Sequence, residues 1–382
     1  MSSKKLDTVW KAEPHTVAKI ELLGAYLRAW FSILGTKPPR RGAEILYVDG
    51  FAGPGEYTNH PTGSPVAAIE AATSVLGTHS ARWLAGDVFC AFIDQDPDRI
   101  TYLKQKLDGV RRHARIHVSM HASAFVQGLN AVRARQPRPF SERDPLFVFI
   151  DPFGATGVPF GTIAGILDAP CSEVLINLDA DGIARIFQAG ADANRDAVLT
   201  DIFGDESWRT ALSHGAPFDA QCRQALDLYK RRLRTITGVR YVFAFEMRGK
   251  TATLNYFLVF ASRHHLGLEK MKEAMRSIDQ TGGYAFSDAD IGQSLLFRFD
   301  DPADFARKMF GLCKGRRLTY GELRDYALNE TPFVNPKKML KYLEDHGLIQ
   351  DVRLLPGKQR RKGTFSEDAV AAVVFARGEA DA

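Results

Sequence analysis

The chain has 382 residues, 45% hydrophobic and 25% charged, with 50 Lys and Arg against 45 Asp and Glu for a net charge of +5. That length holds two or three domains, and the composition is that of a globular protein with only a mild bias towards anionic partners. No apolar run is long enough to span a bilayer, and Met1 to His15 lacks a signal-peptide core, which excludes a membrane role and predicts a cytoplasmic protein. Cys90, Cys171, Cys222 and Cys313 are scattered without a C-x-x-C pair, arguing against zinc, iron–sulfur or disulfide frameworks in this chain.

Pro14 to Leu34 carries Val17, Ile20, Leu23, Leu27, Trp30 and Leu34 at helical spacing and predicts an amphipathic helix. Lys37-Pro38-Pro39-Arg40 ends it, and Glu44 to Val48 follows as a first strand. The strand runs into Asp49-Gly50-Phe51-Ala52-Gly53-Pro54-Gly55, where the glycines let backbone approach a ligand closely. Loops at the carboxyl end of the first strand of an open α/β sheet are where nucleotide-like ligands sit. Thr58 stands where the dinucleotide pattern needs a third glycine, which disfavours a nicotinamide oxidoreductase. Gly63-Ser64-Pro65 opens a helix over Val66 to Val75, with Ser64 as the expected N-cap. Phe89 to Ile93 is a second strand ending in Asp94-Gln95-Asp96-Pro97, ahead of a helix from Asp98 to Leu107. Both oxygens of a strand-end carboxylate can accept from a vicinal diol, so Asp94, or Asp96 in its place, is a candidate ribose ligand. Ile116 to Met120 alternates as a third strand, so His113, His117 and His121 do not share a helix face and no metal site is expected. Ser123 follows where an adenine-contacting residue would lie.

Leu146 to Ile150 and Val174 to Leu178 are unbroken apolar runs and predict buried parallel strands. Asp151-Pro152-Phe153-Gly154 follows the first of them and belongs beside the ligand crevice. Strand signals vanish over 182–236, which reads as a helical insertion. Tyr241 to Phe245 and Tyr256 to Phe260 then predict an antiparallel pair at a reversed edge, backed by a helix from Leu266 to Ile278. The alternation predicts an α/β fold over 1–300, a doubly wound, mostly parallel Rossmann-like sheet. Residues 301–382 read as a second domain. Its expected helices are Ala303 to Cys313, one opened by the Thr319-to-Glu322 capping box and ending at Leu328, and Lys337 to His346 after Asn335-Pro336. Ile349 to Leu355 and Thr364-Phe365 flank a basic tip as a two-stranded wing, making a winged helix-turn-helix. Lys337 and Lys338 in the third helix, with Lys358, Arg360, Arg361 and Lys362 at the tip, are candidate nucleic-acid contacts. Arg133, Arg135, Arg138 and Arg143, and Lys230, Arg231, Arg232 and Arg234, could extend a phosphate-binding track.

The Asp49-to-Gly55 loop resembles the cofactor loop of S-adenosylmethionine (SAM) methyltransferases, and the reversed strand is typical of that fold. The resemblance implies SAM held by Asp49, Gly50, Phe51, Ala52, Gly53, Gly55, Asp94 and Ser123. Asp151-Pro152-Phe153 is similar to the Asp/Asn-Pro-Pro-aromatic turn of amino-methyltransferases, departing from it at Phe153 and Gly154. That likeness implies that Asp151 and the Pro152 carbonyl orient an exocyclic amine of DNA or RNA, with Phe153 near its ring. Ala18-Lys19-Ile20, Tyr26 to Trp30, the glycine loop, Gly63-Ser64-Pro65, Ile150 to Gly154 and Phe245 to Arg248 together resemble the three-Cys-motif partner family. This implies a phage-type iron–sulfur partner protein, and it leaves a second reading, a catalytically silent nucleic-acid-binding or adaptor protein.

Overall fold

The structure, a computed structural model, describes residues 8–135, 143–190, 192–249, 254–279, 284–288 and 301–378. Arg138 of the expected basic track lies outside them. The chain divides into two compact units, Met1–Gln280 with Ala285–Gln293, and Thr281–Tyr284 with Ser294–Ala382. No helix among the described residues is long and apolar enough to cross a membrane. Nor does any group of three or more His, Cys, Asp or Glu among them have metal-binding geometry.

The first unit begins with helix α1 (Pro14–Thr36), started by Pro14 in its first turn. Strand β1 (Ile45–Asp49), helix α2 (Ser64–His79), β2 (Val88–Asp94) and α3 (Pro97–Asp108) follow. Then come β3 (Ile116–Ala122), α4 (Phe125–Arg133), β4 (Leu146–Ile150), α5 (Phe160–Leu167) and β5 (Ser172–Leu178). The helical stretch comprises α6 (Ala180–Gln188), α7 (Ala193–Phe203), α8 (Trp208–Ala211) and α9 (Phe218–Thr237). Strands β6 (Tyr241–Arg248) and β7 (Leu254–Ser262), helix α10 (His265–Ile278) and strand β8 (Ala285–Ser287) complete the unit.

These strands form one sheet in the order β3-β2-β1-β4-β5-β7-β6-β8. β1 to β5 are parallel, and β7 runs antiparallel to both β5 and β6. The fold is therefore the expected doubly wound α/β sheet of methyltransferase type. One expectation is corrected: the reversed strand is internal, because β7 inserts between β5 and β6 and is backed by helices. Every residue of β1 and β4 is buried, so helices must cover both faces. Leu46, Val48, Val148 and Ile150 pack with residues of α4, α5, α6 and α9. On the other face Tyr47 stacks on Phe147, which Tyr26 and Trp30 of α1 meet at ring distances of 5.2 and 5.8 Å.

The second unit runs α11 (Pro302–Cys313), β9 (Arg317–Thr319), α12 (Tyr320–Glu330), α13 (Lys337–Asp345), β10 (Ile349–Leu354) and β11 (Val370–Phe375). The Thr319–Glu322 capping box is formed in full. Its sheet has the order β10-β11-β9, antiparallel throughout. The return strand is thus β11 and not Thr364-Phe365. Phe365 instead joins the core with Phe310, Leu323, Leu343 and Val373. Lys337, Lys338, Lys358, Arg361 and Lys362 are exposed. Arg360 differs from expectation. It pairs with Glu344, whose carboxylate also accepts from the Gly363 amide, and its guanidinium lies 4.8 Å from the Phe365 ring centre. A side chain so engaged braces the loop and is not free to meet a phosphate.

Candidate active site

The carboxyl ends of β1, β4 and β5 open on a cavity of about 400 Å³. Phe51, Ala52 and Gly53 form one wall, Asp151 to Gly154 another, and Asn177 and Asp179 a third, with Lys19, His15 and Tyr256 closing the side. The glycine loop and the Asp-Pro turn therefore meet in one place, because β1 and β4 are hydrogen-bonded neighbours in register.

The three glycines of the loop have different reasons. Gly53 has φ +60° and borders the cavity, so it is the one whose backbone faces that space. A Cβ on Gly50 would lie 2.6 Å from the Phe125 ring, so that glycine serves packing against α4. Gly55 accepts from the Gly63 amide at 2.7 Å, and a Cβ on Gly63 would fall 2.7 Å from the Gly55 backbone. Gly50 and Gly55 thus have packing reasons of their own and do not border the cavity. Nor does Ser64 cap α2; Gly63 does. The Ser64 side chain instead borders the cavity, near enough to Asp49 to favour the ionised form of its carboxyl.

Asp49 is wholly buried behind the cavity wall. Burial pushes its carboxyl up to about 7, although bonds from Ser64 and the Phe51 amide pull the other way and Asp151 and Asp94 add to the rise. Asp94 is also buried. Its Oδ2 accepts from the Gly53 amide and its Oδ1 from the Asp96 amide, both at 2.9 Å, with Arg99 at 3.9 Å. The Arg99 guanidinium lies 4.8 Å from the Trp10 ring centre and 5.3 Å from that of Phe153. Trp10 belongs to an N-terminal strap stitched down by Thr58 N to Trp10 O and by Ala12 N to Asn59 Oδ1. Asp94 and Ser123 consequently do not line the cavity, although Ser123 Oγ is buried without a partner among the described residues.

Asp151 is held from two sides. Lys19 Nζ lies 2.5 Å from Oδ2, and Asn177 Nδ2 donates to Oδ1 at 2.7 Å. Lys19 is buried, and its ammonium sits 5.4 Å from the Tyr256 ring centre. Burial drives the hydroxyls of Tyr57 and Tyr256 well above the usual phenol range, with the negative charge of Asp151 adding to both. Asn177 Oδ1 and Tyr256 Oη are buried without hydrogen-bond partners among the described residues. Leaving such an atom unpaired costs about 1–3 kcal/mol, and both belong to residues that border the cavity. Phe153 is 60% exposed at the rim.

Sequence reasoning singled out Asp151, Pro152, Phe153, Phe51, Ala52 and Gly53, all of which border the cavity. It missed His15, Asn177 and Tyr256 and gave Lys19 no role. One signal for Lys19 was present: His15, Lys19, Leu22 and Tyr26 form a single stripe along α1, and a lysine on an apolar stripe needs a buried partner.

No protein-family model matches the chain, and no curated protein matches it. Among solved structures, it is similar to an O-methyltransferase from Bacillus cereus in complex with SAH, at 12% identity and TM-score 0.33, covering 62% of this chain and 79% of that one. It is also similar to the O-methyltransferase TomG from Streptomyces achromogenes in complex with SAM, at 14% identity and TM-score 0.34, covering 63% and 79%. Such distant likenesses say nothing of this chain's substrate.

Proposed function

We propose that this protein is a SAM-dependent methyltransferase acting on an exocyclic amine of nucleic acid. The carrying observation is the convergence of the glycine loop and Asp151-Pro152-Phe153 on one cavity at the carboxyl ends of β1 and β4. The residues fit the cofactor. Gly53 offers a backbone without a side chain, Asp49 lies behind it, and Ser123 Oγ is a buried atom in want of a partner. Asp94 would hold the ribose once Arg99 and Trp10 shift from it. SAM supplies, when bound, a methyl group on a sulfonium.

The chain's own part is orientation. Asp151 is fixed by Lys19 and Asn177, so its free lone pairs have a set direction in which to accept an amine N–H, and the Pro152 carbonyl can accept a second. The exposed Phe153 ring offers a face to a base. We read the second unit as a winged helix, with Lys337, Lys338, Lys358, Arg361 and Lys362 towards phosphates.

The test is calorimetric titration with SAM, followed by transfer of label from tritiated SAM to DNA and RNA. Asp94→Ala should weaken SAM binding more than tenfold, about 1.4 kcal/mol. A folded wild type that binds neither SAM nor its demethylated product at millimolar concentration would end the enzyme reading.

One observation favours a second reading. Both oxygens of Asp94 are already bonded to backbone amides, and the Trp10 and Arg99 side chains lie over the loop. On that reading the protein is a silent adaptor, docking the iron–sulfur protein implied by its likeness to the three-Cys-motif partner family.

A further inference from the structure

We infer that His15, oriented by Asp288, is the catalytic proton acceptor of this cavity; the inference rests on the methyl-transfer reading above. His15 Nδ1 lies 2.7 Å from Asp288 Oδ2, and the Asp288 side chain is only 2% exposed. A carboxylate only accepts, so Nδ1 carries the proton of the pair and Nε2 keeps its lone pair. Among the described residues no hydrogen bond is made to Nε2, and the imidazole borders the cavity together with Lys19, Asp151 and Tyr256. Asp288 comes directly after β8, which lies against β6 at the far edge of the sheet. Two elements distant in sequence therefore bring the pair together.

Two further polar atoms flank the pair. Asp288 Oδ1 and Tyr256 Oη are both buried and both without partners among the described residues, and the Tyr256 ring centre is 5.8 Å from that of His15. A His–Asp clip that only tied α1 to β8 would gain nothing from these costs. The charged and titratable groups around His15 are Asp288 after β8, Tyr256 on β7, Glu13 and Lys19 along its own segment, and Asp151 beyond Lys19. Asp179, Asp181 and Arg185 stand on the opposite wall.

The chemistry gives such a group a task. An amine that gains a methyl group from a sulfonium donor carries one proton too many. Its N–H bond breaks, the electron pair stays on nitrogen, and the proton passes to His15 Nε2, from which water removes it. Asp151 orients the amine through its remaining lone pairs while Lys19 and Asn177 hold both its oxygens, and His15 Nε2 is the acceptor on this wall with no bond already made to it among the described residues. Asp288 acts through His15 and is a positioning residue.

The test uses the full chain, with tritiated SAM and mixed DNA and RNA oligonucleotides, from about pH 5.5 to 9, a range that spans imidazole titration. His15→Gln should lose roughly 100-fold or more in transfer rate and lose the acid limb of the pH profile, with SAM affinity by calorimetry within about twofold of wild type. Asp288→Asn, which keeps a polar partner for Nδ1 but removes the charge that faces it, should lower the transfer rate about tenfold with SAM affinity within about twofold of wild type. The Nδ1–H tautomer of His15, read from its ring-nitrogen resonances by NMR in the protein alone, should dominate in wild type and give way to a mixture in Asp288→Asn. That second variant also serves if His15→Gln folds poorly. Full transfer by His15→Gln, or transfer and tautomer both unchanged in Asp288→Asn, would overturn the inference and leave methyl transfer standing. A wild type that neither binds SAM nor transfers label would overturn both.

Discussion

Asp49 and Asp151 are neighbouring carboxylates whose surroundings set them apart. Asp151 has the Lys19 ammonium against it, whereas Asp49 has only neutral donors and a low-dielectric wall. Its folded value of about 7 lies above the ordinary 3.8, so the fold prefers the neutral acid. The stability tied to Asp49 is therefore full below about pH 3.8 and falls as pH rises through about 7, beyond which no more is lost. At about 1.4 kcal/mol per unit the span amounts to several kcal/mol. Urea midpoints should drop across that window in wild type and stay flatter in Asp49→Asn; an equally steep variant would show that burial of Asp49 is not the cause. Asp151→Ala should abolish methyl transfer and leave SAM affinity nearly unchanged. A comparable loss of affinity would make Asp151 a cofactor or structural residue instead.

Between Asp49 and α2 the chain forms one interlocked element, with Gly63 pressed on Gly55 and Ser64 reaching back to Asp49. Gly63→Ala should cost about 1–3 kcal/mol, since backbone and not a mobile side chain stands in the way. Gly77 lies in the same helix with nothing within 4 Å of an added Cβ, so Gly77→Ala should be neutral or stabilising by up to about 1 kcal/mol. Thermal melts of the two variants check the contrast. The strands β1, β2, β4 and β5 were legible because buried parallel strands are largely apolar runs, and the edge strand β3 was legible from its alternation. That β7 enters between β5 and β6 was not, because periodicity says which face is buried and not which strand is the neighbour. The return strand β11 was misplaced for a local reason. Thr364-Phe365 follows the basic tip directly, whereas Val370 to Phe375 is set off from it by Ser366-Glu367-Asp368. The strand-end carboxylates of the site could be found from their positions alone. The His15–Asp288 pair could not, since 273 residues separate its members.

At the scale of the whole molecule, the second unit has its own core and can be tested by itself. A fragment of 301–378 should fold cooperatively, whereas one ending at Thr364 loses β11, the middle strand of its sheet, and should not. Circular dichroism melts separate the two. Changing Lys358, Arg361 and Lys362 to Gln in the full chain should lower the salt slope of oligonucleotide binding by about one per phosphate contact removed. Unchanged affinity and slope would make the wing a protein-docking surface. Arg360 is left out because its loss would unseat Glu344. The division of the chain has a consequence for where it can be cut. Tyr284 belongs with the second unit, its hydroxyl donating to Pro332 O, while the very next residues return to the first as β8. Two finished modules spliced end to end would share a single seam. Here the path crosses between units more than once, so a cassette exchange at residue 300 would leave a buried tyrosine behind.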